Sequence, residues 1–173
     1  MRLTGRKSFI TGAAKGIGLS VARAFAAEGA AVALADISEE ESKKQSLEIK
    51  ETYGVDAIGV KCDVGDTISV QNAIKETSEA FNGLDTIACM AATLTERLDV
   101  VDLPEDEWNR TLNVNLTGSF LVCKHGIPFL REAGGGSIIL TASQMGQVAW
   151  PGSTAYCTTV SYTHLTLPTS FLV

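Results

Sequence analysis

Lys7-Ser8-Phe9-Ile10-Thr11-Gly12-Ala13-Ala14-Lys15-Gly16-Ile17-Gly18 is the stretch that decides how the rest of the chain is read. A short apolar β-type run ends at Thr11 and passes into glycines, and a helical pattern follows at once, with Ile17, Val21 and Phe25 recurring every fourth residue. That is the strand–turn–helix context of a phosphate-binding turn. Glycines allow a tight bend, and the backbone N–H groups at the positive end of the helix can approach a pyrophosphate. The spacing is G-x-x-x-G-x-G rather than G-x-G-x-x-G. A glycine turn alone is equally compatible with a loop that needs glycine for steric reasons.

Apolar runs bounded by Gly, Asp or Ser predict strands at Ser8 to Thr11, Ala31 to Ala35, Ala57 to Cys62, Thr86 to Met90 and Ser137 to Leu140. Helical spacing fills the gaps: Ile17/Val21/Phe25, Val70/Ile74 and Trp108/Leu112/Leu116/Phe120 each predict an apolar stripe turned to a sheet. The charged stretch from Glu39 to Tyr53 reads as an outer helix, and Pro104 followed by Glu105, Asp106 and Glu107 suits the first turn of the Trp108 helix. Five nearly continuous apolar strands alternating with four helices predict a parallel sheet covered on both faces. The expected fold class is α/β, a doubly wound (Rossmann) three-layer α/β/α sheet with strand order 3-2-1-4-5. Its ligand crevice would lie beside strands one and four, where the winding reverses.

Composition narrows the function classes. The 173 residues suffice for one domain with a sizeable core. With 45% hydrophobic and 20% charged residues, the chain is expected to fold as a globular protein. A net charge of −6 without a dense basic cluster argues against nucleic acid as a partner. The N-terminus carries no secretory pattern, which makes the cytoplasm the expected location. The uncharged stretch from Ala133 to Val173 is broken by Gly134-Gly135-Gly136, Pro151 and Pro168; it reads as buried strand plus loops, not a membrane span. Cys62, Cys89, Cys123 and Cys157 form no C-x-x-C pair and read as reduced core thiols, with no metal expected.

Asp36 stands at the end of strand two, where a carboxylate can accept hydrogen bonds from both adenosine ribose hydroxyls and repel a 2′-phosphate. This favours NAD over NADP. The same Asp could instead cap the helix that begins near Ser38, and Lys15 beside the turn could hold a 2′-phosphate. Asp63, just after strand three, could accept the adenine amino group or be an ordinary strand-end acid.

The glycine turn, Asp36, Asp63-Val64, Asn115-Leu116-Thr117-Gly118, Ser143 and Tyr156 together resemble the short-chain dehydrogenase/reductase family, from about Lys7 to Thr159. The resemblance implies an oxidoreductase moving hydride between NAD(H) and a small alcohol or ketone. Tyr156 would be the general acid/base, Ser143 would orient the reacting oxygen, and Asn115 would hold a water in the proton relay. Gly12, Lys15, Gly16, Ile17, Gly18, Asp36, Asp63, Val64, Met90 and Ala91 would hold the cofactor. It also implies a homo-oligomeric parent, associating through the surface of the fourth helix.

Two positions depart from the family pattern. Tyrosine titrates near pH 10 unaided, and the family's Tyr-x-x-x-Lys supplies the cation that lowers this, but residue 160 is Val. Proton transfer should therefore slow by roughly 10²–10⁴-fold, and the chain as written is expected to be inactive. After strand four the family's Asn-Asn-Ala-Gly is replaced by Cys89-Met90-Ala91-Ala92, removing side chains that would brace the strand. An alternative reading is a catalytically dead dinucleotide-binding module; another is a fragment without function.

Val160-Ser161-Tyr162-Thr163-His164-Leu165-Thr166-Leu167-Pro168-Thr169 should break the helix that follows Tyr156, given its β-branched residues and Pro168. It also resembles a transposon-end sequencing adapter translated in frame (GTC TCT TAT ACA CAT CTG ACG CTG CCG ACG). The expected organisation is a partial NAD(P)-binding Rossmann domain over 1–159, its C-terminal part missing, and a non-native tail over 160–173. Strand five should then be an aggregation-prone edge.

Overall fold

The computed structural model describes residues 1–161. Its five parallel strands are β1 (Lys7–Thr11), β2 (Ala31–Asp36), β3 (Ala57–Lys61), β4 (Thr86–Cys89) and β5 (Ser137–Leu140), in the order β3-β2-β1-β4-β5. Helices α1 (Gly16–Ala27), α2 (Glu39–Tyr53) and α3 (Thr67–Phe81) connect the first four. After β4 comes one long helix in three parts: α4 (Glu105–Thr111), a π-helical segment (Leu112–Thr117) and α5 (Gly118–Glu132). A 3₁₀ turn (Gln144–Gly146) and α6 (Thr154–Val160) follow β5. Phe9 and Ile10 are both fully buried, in different cores: Phe9 lies with Val70, Ile74 and Val122, and Ile10 with Ala22, Ala26 and Ile49. Adjacent residues of a strand point to opposite faces, so a strand with both faces covered is apolar throughout.

Several expectations need correction. On α1 the face against the sheet is Gly18, Ala22 and Ala26, while Ile17 is 74% exposed. The small residues let the helix axis come close to the strands, and the larger Val21 and Phe25 pack from its flank. The same holds further on: Thr111, Asn115, Val122, Gly126 and Leu130 are buried, and the Trp108/Leu112/Leu116/Phe120 stripe turns away, with Phe120 58% exposed. A Cβ on Gly126 would collide with Ile87 Cδ1, and one on Gly118 would lie 2.8 Å from Val64 Cγ2. Contact with the core therefore runs through glycines rather than through the greasiest stripe.

On the charged α2, Ser42, Gln45, Ser46 and Ile49 are buried, and Gly59 of β3 lies directly against the Ser42–Lys43 backbone. Pro104 is the N-cap of α4 rather than part of its first turn. The β5 strand is an edge, as expected, but it is not buried: Ser137 and Ile139 are exposed and Ile138 and Leu140 half-buried. The helix carrying Tyr156 runs on through Val160, which is buried at 5% exposure. Ser161 Oγ closes its end by donating to Cys157 O (2.7 Å). The expected tail lies, from Tyr162 onward, outside the described residues. Among the described residues no helix is long and apolar enough to cross a membrane, and no group of His, Cys, Asp and Glu could hold a metal.

Candidate active site

At the C-terminal ends of β1 and β4 the backbones come close together. Gly12 has φ +63°, and a Cβ there would lie 2.7 Å from Ala91 Cα. Gly18, on the first turn of α1, faces Gly12 so closely that its Cβ would run into the Gly12 carbonyl oxygen. Both positions therefore require the absence of a side chain. Lys15 is the N-cap of α1 and gives no side-chain cap, and Lys15, Gly16 and Ile17 are all exposed. The first N–H groups of a helix have no intrahelical partner. Here they are also uncapped at an open surface, an arrangement suited to a phosphate.

Thr11 organises the same corner. Its Oγ1 accepts from Met90 N (3.0 Å) and Ala91 N (3.1 Å). The loop after β4 is thus braced from β1, although its Cys89-Met90-Ala91-Ala92 sequence has no bracing amide side chain. The only local sign in the sequence is one hydroxyl at the end of an apolar strand. Thr141 Oγ1 also donates to Met90 Sδ (2.9 Å), tying in the loop after β5.

Asp36 does two things at the end of β2. Its Oδ2 accepts from Ala14 N (3.1 Å), fastening the glycine turn, and its Oδ1 accepts from Ser38 N (3.0 Å) at the entry to α2. A carboxylate has about four acceptor positions, so both oxygens retain capacity for a further donor. Asp63 Oδ1 accepts from Gly65 N (2.9 Å), a local turn, while Val64 is buried against Gly118. The Cys62 thiol is pushed up to about 12 by burial, then by the Asp63 and Asp36 carboxylates. Cys89, in the same core, is pushed well above a thiol's usual range by its hydrogen bond with Cys123 and by burial. These thiols are poor nucleophiles at neutral pH. Cys62, Cys89 and Cys123 are buried, whereas Cys157 is only half-buried.

Asn115 lies in the π-helical segment, is 5% exposed, and uses its whole amide. Oδ1 accepts from Thr93 N (2.7 Å), and Nδ2 donates to Thr93 O and to Thr159 Oγ1, both at 3.0 Å. Thr159 Oγ1 in turn donates to Tyr156 O (2.8 Å). The β4 loop, the long helix and α6 therefore meet at one amide. Ser143 starts the 3₁₀ turn, with Oγ accepting from Met145 N (3.2 Å). Gly146 of that turn abuts the Val160 backbone, so Ser143 and half-buried Tyr156 stand on elements in contact. Among the described residues their two hydroxyls share no hydrogen bond. The roles of Thr93 and Thr159 carry no sequence signal. A groove of about 540 Å³ lined by Lys7, Asn82 and Asp85 lies at the opposite end of the strands, away from the glycine turn.

Residues 6–163 match the family model described as short chain dehydrogenase. The chain is 39% identical over 158 residues to the 2,5-dichloro-2,5-cyclohexadiene-1,4-diol dehydrogenase LinX of Sphingobium indicum, covering 91% of this chain and 62% of that protein. It is 36% identical over 156 residues to the D-threitol dehydrogenase of Mycolicibacterium smegmatis, covering 90% and 59%. The crystal structure of an NAD⁺-bound xylitol dehydrogenase superposes with a TM-score of 0.89 at 31% identity, over 93% of this chain and 62% of that one. The chain thus spans about 60% of the length of the relatives it matches.

Proposed function

This chain belongs to the short chain dehydrogenase family, and from that premise we propose that it is the dinucleotide-binding part of an NAD-preferring alcohol/ketone oxidoreductase. The observation that carries the reading is the close approach of Gly12 to Ala91 beside an uncapped α1 N-terminus, with Asp36 fastened to the same turn. The residues fit a nicotinamide dinucleotide. The N–H groups of Gly16, Ile17 and Gly18 would hold its pyrophosphate and Asp36 its adenosine ribose. Lys15, Asp63 and Val64 would border the adenosine half, and Gly12, Met90 and Ala91 the remainder. When bound, such a cofactor supplies the acceptor or donor of hydride.

Tyr156 would take the hydroxyl proton of the alcohol at its phenolic oxygen, or return it in reduction, while Ser143 donates to the reacting oxygen and orients it. Asn115 would fix the β4 loop and α6 in mutual position. Residue 160 supplies no cation for that proton transfer, since Val160 is an apolar side chain buried at the end of α6. The chain as it stands would thus bind dinucleotide and turn over little or nothing.

The relatives named dehydrogenases of a cyclohexadienediol and of D-threitol support a small alcohol as the substrate class. NADH fluorescence titration tests the pocket: saturable enhancement, weakened about tenfold in Asp36→Ala, is the expected result, and no binding refutes the reading. Val160→Lys, joined to the C-terminal portion of the D-threitol dehydrogenase, should oxidise at least one alcohol of a polyol panel with NAD⁺. Failure there while NADH still binds would favour a non-catalytic binding module.

A further inference from the structure

The loop after β4 and the loop after β5 are joined at their outer ends. Leu98 N donates to Gly152 O (3.0 Å), and Arg97 Cζ lies 5.0 Å from the centroid of the Trp150 ring. The inner end of the first loop is held by Asn115 through Thr93. The segment 93–98 is therefore pinned at both ends, at Asn115 and at Gly152, and spans the elements that carry Asn115 and Tyr156. Along it and its partner loop, Leu94 and Val148 are 70% and 65% exposed.

Arg97 is exposed and, among the described residues, its guanidinium makes no hydrogen bond and no ion pair, although Glu96 and Asp99 are close in sequence. Arg110, by contrast, spends its fork on Glu107 and Thr93. A guanidinium lying over an indole keeps its N–H edge available while losing rotational freedom, and its planar fork matches a carboxylate with two parallel bonds. Trp150 thus offsets part of the cost of ordering Arg97, on loops that also expose the apolar side chains of Leu94 and Val148.

We propose that Arg97, seated on Trp150, anchors a carboxylate of the substrate, so that the site prefers hydroxy acids and oxo acids to uncharged polyols of the same skeleton. The proposal rests on the oxidoreductase reading and names the substrate class of that site.

The test uses the 173-residue chain carrying Trp108→Phe, which leaves Trp150 as its one tryptophan. With NAD⁺ saturating, Trp150 fluorescence is titrated with 3-hydroxybutyrate and, separately, with butane-1,3-diol. The expected result is a saturable response with apparent Kd about tenfold lower for the acid, a preference abolished in Arg97→Gln and partly kept in Arg97→Lys. Equal or weaker response to the acid, or a preference unchanged in folded Arg97→Gln, overturns the anchor. If Arg97→Gln does not fold by circular dichroism, Arg97→Lys alone decides, because it keeps the charge and loses the fork: an undiminished preference overturns the proposal. NADH binding, measured in parallel, separates the two levels. Normal NADH binding without an acid response defeats this proposal only, whereas absent NADH binding defeats the oxidoreductase reading and the anchor with it.

Discussion

The Nδ2 of Asn115 donates a 3.0 Å hydrogen bond to Oγ1 of Thr159, buried and 44 positions away in sequence. Together with its two bonds to the Thr93 backbone, it makes Asn115 the knot between the β4 loop and the helix of Tyr156. Replacing it by Ala leaves the half-buried N–H and C=O of Thr93 without their partner and removes the buried bond to Thr159. Asn115→Ala is therefore expected to cost about 2–4 kcal/mol in urea unfolding, with faster amide exchange at Thr93. A loss under 0.5 kcal/mol, well below the ~1 kcal/mol of one ordinary hydrogen bond, would show that the knot is dispensable.

At Gly12 two demands coincide, a positive φ and the nearness of Ala91. Gly12→Ala should destabilise the chain by about 1–3 kcal/mol and abolish NADH fluorescence enhancement, because β1 and the β4 loop must separate. Full retention of both properties would contradict the close approach.

The Asp36 carboxylate ties the turn and would also meet the ribose. Asp36→Ala should weaken NADH binding by about tenfold and NADPH binding much less, since Lys15 stays next to the turn and the anionic repulsion is gone. Equal losses for the two dinucleotides would assign Asp36 to turn geometry alone.

Cys62 gives a pH dependence with a definite sign. Its folded value of about 12 lies above a thiol's ordinary 9.0, so the folded state holds its proton where the unfolded chain has lost it. The stabilisation is complete below pH 9.0 and drains away as pH rises through about 12. Cys62→Ala should flatten the alkaline limb of the stability profile measured by urea unfolding between these limits. An identical limb in both proteins would exclude Cys62 as its cause.

The β5 edge exposes 43% of Ile139 and leaves one row of backbone groups unpaired by the sheet. Ile139→Lys should reduce light scattering on concentration and leave the unfolding midpoint nearly unchanged, because a charge on an edge strand disfavours pairing with another chain. Unaltered scattering would locate aggregation elsewhere, with the Phe120 face as the next surface to vary.

The alternation of strands and helices, the parallel order β3-β2-β1-β4-β5 and the place of the glycine turn are all legible along the chain. Apolar periodicity and right-handed connection are local rules, and local rules are written along the chain. Tertiary structure decided which face of each helix meets the sheet, because periodicity shows which residues share a face but not whether glycine and alanine let that face come closer than leucine and phenylalanine would. It also decided that Thr11 braces Met90, that Asn115 holds Thr93 and Thr159, and that Arg97 lies over Trp150. Each pairing joins residues more than twenty positions apart whose only connection is through space, so no spacing rule in the sequence can express it.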